Sequence, residues 1–394
     1  MRLVILSSGN PNDMKGVMNF VQQEAKSFIA TSTKDISVDV YLIRRYFSFF
    51  FSLIHSRRIL FQEKHAHEIE IDGVLYHQIW EKYGFWENII GNRIRKRIAS
   101  ISLIKKCKNE IGPFDAIISH NTVCHYIANK IIGDRKIKHI SVWHGSDINI
   151  DPYESDLMMS ATTESLVYSD MNLFVSQALI NESKKLLDIP QVDVLYTGPS
   201  HFFKHFTAED IKGFKDNFGF KCDVLLGFIG NIIDVKNVLT LPDIVARVKT
   251  MLPGKKVCLA IIGNGDLEQA LLTKLKSNNI DFVFLGKQSP EMIPKIMNCL
   301  DVLILPSKNE GLPMVTLEAL ACGVNVVASN VGGIKESIGE ENCFNLDSEF
   351  VPNMANRICE IVTSGIQPRP LPKHFSWGRA VKKIYDYLIP ANNG

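Results

Sequence analysis

Two carboxylates, Glu310 and Glu318, stand eight positions apart in DVLILPSKNEGLPMVTLEALACG, residues 301–323. A carboxylate is a good acceptor for hydroxyl protons and a poor ligand for phosphate, so the pair suits the hydroxyls of a sugar or a ribose. Glu310 falls in a polar loop, and Glu318 about two turns along the helix expected after it. Gly311 lets the backbone approach a ligand closely. Pro313 marks the first helical turn, where free N–H groups and the positive dipole end suit a phosphate. Taken singly, each Glu reads better as a solvated helix-end carboxylate favoured by the dipole. The strand, the Gly-Leu-Pro turn and the spacing together favour a ligand site.

Lys236 supplies a cation for such a site. It follows the apolar run 225–229 and the pair Gly230-Asn231, at a junction of strand, loop and helix. There a lysine can neutralise a diphosphate as a compact point charge. Left exposed near a helix start it would oppose the dipole, which tilts the reading toward a ligand. Two further turns, at Gly263 and at Gly286-Lys287, end the apolar runs 257–262 and 282–285. A flat base could rest on their glycines beside Lys287; each also reads as a bare turn.

These residues need a parallel sheet to bring them together. Short apolar runs at 3–6, 38–43, 114–119, 137–143, 173–176 and 192–196 alternate with helical stretches at 17–29, 124–132 and 177–187. A second α/β series restarts at Asp223 and continues through 302–305 and 325–329, with a closing helix at 376–388. In such sheets ligands bind at the carboxyl ends of the strands. His144, in WHGSD after 137–143, stands at one such end and reads as a site residue; Asp147, and His120 after the preceding strand, have weaker support. The first loop lacks G-x-G-x-x-G, so the dinucleotide fingerprint is absent, and Gly16 reads either as a plain turn or as the remnant of a phosphate loop. Asp72-Gly73 inside 68–79 marks a hairpin.

Glu310 and Glu318, with the run PSKNEGLPMVTLEALACGVNVVASNVGG around them, resemble the E-x7-E donor segment of retaining GT-B glycosyltransferases of the family-four (group 1) type. The resemblance is close over the C-terminal half and loose over the N-terminal half. It implies two Rossmann-like domains facing each other across a cleft: an acceptor domain at 1–199 and a donor domain at 200–375, with residues 376–394 crossing back. Further implied are contacts of Glu310 with the donor sugar, of Gly311, Leu312 and Pro313 with the diphosphate, and of Glu318 with the ribose. Lys236 would grip the diphosphate, and Gly263 and Lys287 would line the base. His144 would approach the transferred sugar, and Gly16 would face the donor phosphates. Asn231 stands where the family carries an arginine beside Gly230, which removes one positive charge. With His144, Glu310 and Lys236 as the catalytic set, the expectation is transfer of a hexose or N-acetylhexosamine from a nucleotide-sugar, UDP-linked by preference, to a saccharide. Retention would follow from same-face attack, a donor phosphate oxygen taking the acceptor proton. A sugar-nucleotide epimerase and a non-catalytic nucleotide-sugar-binding partner are the alternatives.

Composition bounds the rest. With 394 residues, 46% apolar, 22% charged and a net charge of +2, the chain is of the globular class with room for two cores. Eight scattered cysteines without C-x-x-C argue against zinc or disulfides and for a reducing cytoplasm. No D-x-D at a strand end and no metal-spaced cluster appears, so neither metal nor cofactor is expected. The N-terminus reads as a strand rather than a signal peptide. No nucleic-acid motif accompanies the charge. Two basic-apolar segments, 44–58 (RRYFSFFFSLIHSRR) and 86–107, read either as edge or core helices or as peripheral contacts with the inner face of a plasma membrane. In the second, Ile90, Ile94, Ile98 and Ile101 form a stripe beside Arg93, Arg95, Lys96, Arg97, Lys105 and Lys106. A lipid-linked saccharide for a bacterial surface polysaccharide would suit them.

Overall fold

A computed structural model describes residues 1–12, 16–31, 36–47, 66–83 and 98–389. The chain divides into two compact units, 1–196 with 377–394, and 197–376.

The first unit is built on eight strands: β1 (Arg2–Ser8), β2 (Ser37–Phe47), β3 (Glu68–Ile71), β4 (Val74–Tyr83), β5 (Ala116–His120), β6 (Lys138–Trp143), β7 (Met171–Phe174) and β8 (Val192–Val194). Their order is β3-β4-β2-β1-β5-β6-β7-β8, and every described pairing is parallel except β3 with β4. Asp72 and Gly73 both take positive φ, 52° and 78°, as a two-residue hairpin turn demands. Chain order reverses between β1 and β5, so the carboxyl ends of those strands and of β6 form the natural ligand edge. The last helix, Trp377–Leu388, belongs to this unit: Lys383 pairs with Asp193 at 2.7 Å and Tyr387 donates to the same carboxylate at 2.6 Å.

The second unit has six parallel strands: β9 (Val224–Ile229), β10 (Val257–Ile262), β11 (Asp281–Gly286), β12 (Val302–Leu305), β13 (Asn325–Ser329) and β14 (Cys343–Phe344). The order β11-β10-β9-β12-β13-β14 is the dinucleotide-fold arrangement, with its switch point between β9 and β12. Alternate residues of β9 enter separate cores: Val224, Leu226 and Phe228 pack on one face, and Leu225 on the other. A strand covered on both faces reads as a continuous apolar run, which is why these strands were visible in the sequence.

Several expectations need correction. β2 runs on to Phe47, so Arg44 lies inside a strand rather than in a lipid-facing segment. It is buried, donates to Asn10 at 2.9 Å and Gln78 at 3.1 Å, and stacks 4.8 Å from the Trp80 ring centroid. The rest of 44–58 beyond Phe47 lies outside the described residues. No single helix runs through to Cys107: one starts at Ile101, because the Ser100 hydroxyl accepts the Leu103 N–H at 3.0 Å and caps it there. Ile98 is buried but Ile101 is 51% exposed, so they do not share one buried stripe. Arg93, Arg95, Lys96 and Arg97 lie outside the described residues. Among the described residues no helix is long and apolar enough to cross a membrane.

Lys236 lies in a 3-10 turn, Asp234–Lys236, and the helix proper begins at Leu241, because Asn237 takes a left-handed conformation between them. Pro313 caps its helix rather than opening the first turn, which runs from Met314. The segment after His144 is not a loop but three helices, Ser146–Asn149, Asp151–Glu154 and Asp156–Tyr168.

The loops after β9 and β10 meet with no room for a side chain. A Cβ on Gly263 would stand 1.8 Å from the Gly230 carbonyl oxygen, at a φ of 133°. Gly263→Ala should therefore destabilise the fold by about 1–3 kcal/mol, read as a lower midpoint in denaturant. An unchanged midpoint would contradict this close approach.

Candidate functional site

At the switch point of the second unit the loops after β9 and β12 are tied together. Lys236 Nζ meets Glu310 Oε1 at 2.5 Å, with the two side chains only 22% and 10% exposed. Lys308 reinforces the junction, donating from its backbone to the Val235 carbonyl at 2.8 Å and from Nζ to Asp234 at 2.7 Å. A third loop, after β13, comes closer still. A Cβ on Gly332 would stand 1.9 Å from the Glu310 carbonyl oxygen, and the Gly333 N–H donates to the Gly311 carbonyl at 2.7 Å. Lys236 and Glu310, two groups expected to hold different parts of a ligand, thus neutralise each other.

The helix Met314–Ala321 starts directly behind this pair. Gly311, Leu312 and Pro313 are buried at its entrance, and no side chain caps it; the Thr316 N–H turns back to the Pro313 carbonyl at 3.1 Å, so the N–H groups of Met314 and Val315 are the ones offered to whatever enters. Glu318 lies further along the helix, half-buried. Removal from water pushes its carboxyl up to about 7.

Around the rim, Gly230 N–H donates to the Ile262 carbonyl at 3.0 Å, Ile232 N–H to Asn264 at 2.9 Å, and Gly263 N–H to Gly286 at 2.9 Å. This lacing aligns the ends of β9, β10 and β11 into one shelf that includes Asn231, with Lys287 exposed just beyond it. Sequence spacing alone could not have shown the laced shelf.

The first unit places His144 after β6 and His120 at the end of β5. His120 Nδ1 lies 3.0 Å from His144 Nε2, and His120 Nε2 lies 2.8 Å from Glu24 Oε2. Glu24 was missed in the sequence. Its signal was a carboxylate four residues from each of two phenylalanines, Phe20 and Phe28, on the inward face of helix Val17–Thr31. Asp147 does not touch the His144 ring. Its carboxylate accepts the backbone N–H groups of His144, at 3.0 and 2.9 Å, and of Gly145, at 2.8 Å. Burial nonetheless holds it up to about 6. Gly16, with a φ of 51°, is exposed at the start of Val17–Thr31, and its carbonyl accepts the Phe20 N–H at 3.3 Å. No three His, Cys, Asp or Glu residues are gathered as a metal site among the described residues.

Two units, each built on a mainly parallel α/β sheet with a switch point at its carboxyl edge, give the chain the GT-B fold. Residues 223–364, within the second unit, match the model of the family described as glycosyl transferases group 1. The chain is 30% identical over 224 residues to N-acetyl-alpha-D-glucosaminyl L-malate synthase of Bacillus anthracis, covering 55% of this chain and 56% of the relative. It is 24% identical over 270 residues to a putative teichuronic acid biosynthesis glycosyltransferase, TuaC, of Bacillus subtilis, covering 68% and 65%. These matches span less than two thirds of either relative. Anabaena HepE, solved in complex with UDP, superposes with a TM-score of 0.68 at 14% identity over 98% of this chain and 95% of that one.

The Glu318 carboxyl should leave a signature in stability. Folded, it keeps its proton up to about pH 7; unfolded, it releases it near the usual 4.5. The folded state therefore binds more protons across that window, and stability falls as pH rises through it. Glu318→Gln should flatten this decline in urea unfolding series between pH 4.5 and 7. An identical decline in the variant would refute the shifted carboxyl.

Proposed function

We propose that this chain is a retaining glycosyltransferase that moves a hexose or N-acetylhexosamine from a nucleotide-sugar to a saccharide acceptor. The observation that carries the reading is the Lys236–Glu310 pair at the switch point, beside an uncapped helix start. A diphosphate entering there competes with Glu310 for Lys236. As Lys236 swings to the phosphates, Glu310 is released to accept hydroxyl protons from the sugar. Glu318, further along the same helix, accepts from the ribose. Charge developing on the departing diphosphate is then met by the lysine ammonium and the helix N–H groups, which supply electrostatic stabilisation without proton transfer from the protein. Asn231 leaves Lys236 as the principal cation of this loop.

UDP is the favoured nucleotide, supported by the UDP held by Anabaena HepE. The metal-independent reading follows from the lysine and the helix terminus taking a metal's electrostatic part. The acceptor side is assigned to the first unit. A lipid-linked saccharide in bacterial surface polysaccharide assembly at the inner face of the membrane is supported by the named role of TuaC and by the basic residues of the segment 86–107.

Calorimetric titration with UDP, GDP and ADP, in EDTA and then in magnesium, tests the donor site. One nucleotide should bind in EDTA, and Lys236→Ala should weaken it about tenfold to a hundredfold, the value of a charge-assisted contact. Absence of binding under all conditions would overturn the reading. Release of free nucleotide from the nucleotide-sugar only when a saccharide acceptor is present separates transfer from epimerisation. Replacing Arg93, Arg95, Lys96 and Arg97 with Gln should abolish binding to vesicles containing anionic lipid. Undiminished binding would remove the membrane contact.

A further inference from the structure

We propose that Glu24 is a positioning residue which, acting through His120, keeps the His144 proton on Nε2 and presents Nδ1 as an acceptor for a hydroxyl of the substrate saccharide. Three elements converge to make this chain: Glu24 comes from helix Val17–Thr31, His120 from the end of β5, and His144 from the residue after β6. Glu24 and His120 are fully buried, and the two hydrogen bonds measure 2.8 and 3.0 Å. In the proposed chain Glu24 accepts, so the His120 nitrogen facing it, Nε2, carries the hydrogen. With that as its single ring hydrogen, His120 presents Nδ1 as an acceptor in turn. The His144 nitrogen facing that atom, Nε2, must donate, and its Nδ1 is left with a lone pair.

The surroundings keep this polarity in place. His144 is half-buried, and among the described residues its ring is hydrogen-bonded through Nε2, to His120. Burial, with His120 beside it, holds the His144 imidazole well below its ordinary range, so the ring stays neutral. The edge of the Phe20 ring walls both histidines, at 4.7 Å from His144 and 5.7 Å from His120, and Trp377 backs Phe20 at 4.9 Å. Asp147 is committed to the backbone and offers the His144 ring nothing. The neighbouring histidines, His125 and His139, are each bound at 2.7 Å to Ser119 and are held neutral by burial. Glu24 is thus the carboxylate that sets the direction of the chain. Its other oxygen, Oε1, is buried without a hydrogen-bond partner among the described residues, a costly arrangement for a purely structural side chain.

The saccharide part rests on the glycosyl-transfer reading; the tautomer does not. Long-range proton–nitrogen spectra of the full chain carrying ring-labelled histidine test it, with the His144 signals assigned from a His144→Gln variant. In the unaltered protein Nε2 should appear as the protonated, pyrrole-type nitrogen and Nδ1 as the bare, pyridine-type one. Glu24→Gln should exchange them. Its amide nitrogen faces His120, because the opposite orientation would bury two unpaired donors where Oε1 now lies. With the nucleotide-sugar selected by titration, kcat should fall about tenfold, the worth of one hydrogen bond, while KM stays within about twofold. A proton on Nδ1 in the unaltered protein overturns the proposal, and so does a Glu24→Gln spectrum unchanged from it. The first of these decides even where the variant fails to fold. Expected tautomers without transfer of any sugar would sink the transfer reading and uphold the positioning role.

Discussion

The ion pair between Lys236 and Glu310 constrains everything around the second unit's switch point. Neither residue is on a regular strand or α-helix. Lys236 is in a single 3-10 turn and Glu310 in the loop after β12, so no repeating backbone pattern holds them. Their positions are set by the neighbouring loops: Lys308 bridges to the Asp234 turn, and Gly332 and Gly333 press against Glu310 and Gly311. Gly332 has no alternative there, since any Cβ would collide with the Glu310 carbonyl. Rigid loops around a separable charge pair give a site that is shaped before a ligand arrives, so binding has less conformational entropy to overcome.

Burial shapes the chemistry differently in the two units. In the second, desolvation lifts Glu318 toward neutrality, which makes it receptive to a hydroxyl that restores its lost hydrogen bonds. In the first, desolvation keeps His144, His125 and His139 uncharged, so polarity there is carried by which nitrogen holds each proton. A charge can be screened or neutralised by water. A buried hydrogen-bond direction persists until a member of the chain changes its proton count.

Both sheets follow one plan. A central strand pairs with the next element on one side, and the chain later returns to its other flank, opening a crevice at the carboxyl edge. In the second unit this crevice holds the matched family segment; in the first it holds the Glu24–His120–His144 chain. Residues far apart in sequence, such as Glu24 and His120 at a separation of 96, become neighbours because the end of β5 delivers His120 beside the inward face of helix Val17–Thr31, which carries Glu24.

The sequence by itself determined the periodic and the covalent-scale features. Continuous apolar runs announced the buried parallel strands, Asp72-Gly73 announced its hairpin, and the spacing of Glu310 and Glu318 announced the family segment. Each of these signals is local, lying within a few residues of the structure it specifies. Where a competing local signal was misjudged, the boundary moved: Ser100 caps a helix that the isoleucine stripe would have extended, and Arg44 stays in β2 because Gln78 and Asn10 satisfy it. Only the tertiary structure decided which polar groups meet. The Lys236–Glu310 pairing, the desolvation of Glu318 and the direction of the Glu24–His120–His144 chain depend on distances across the fold. Such distances arise when the sheets and their loops pack, and no interval in a linear sequence encodes them.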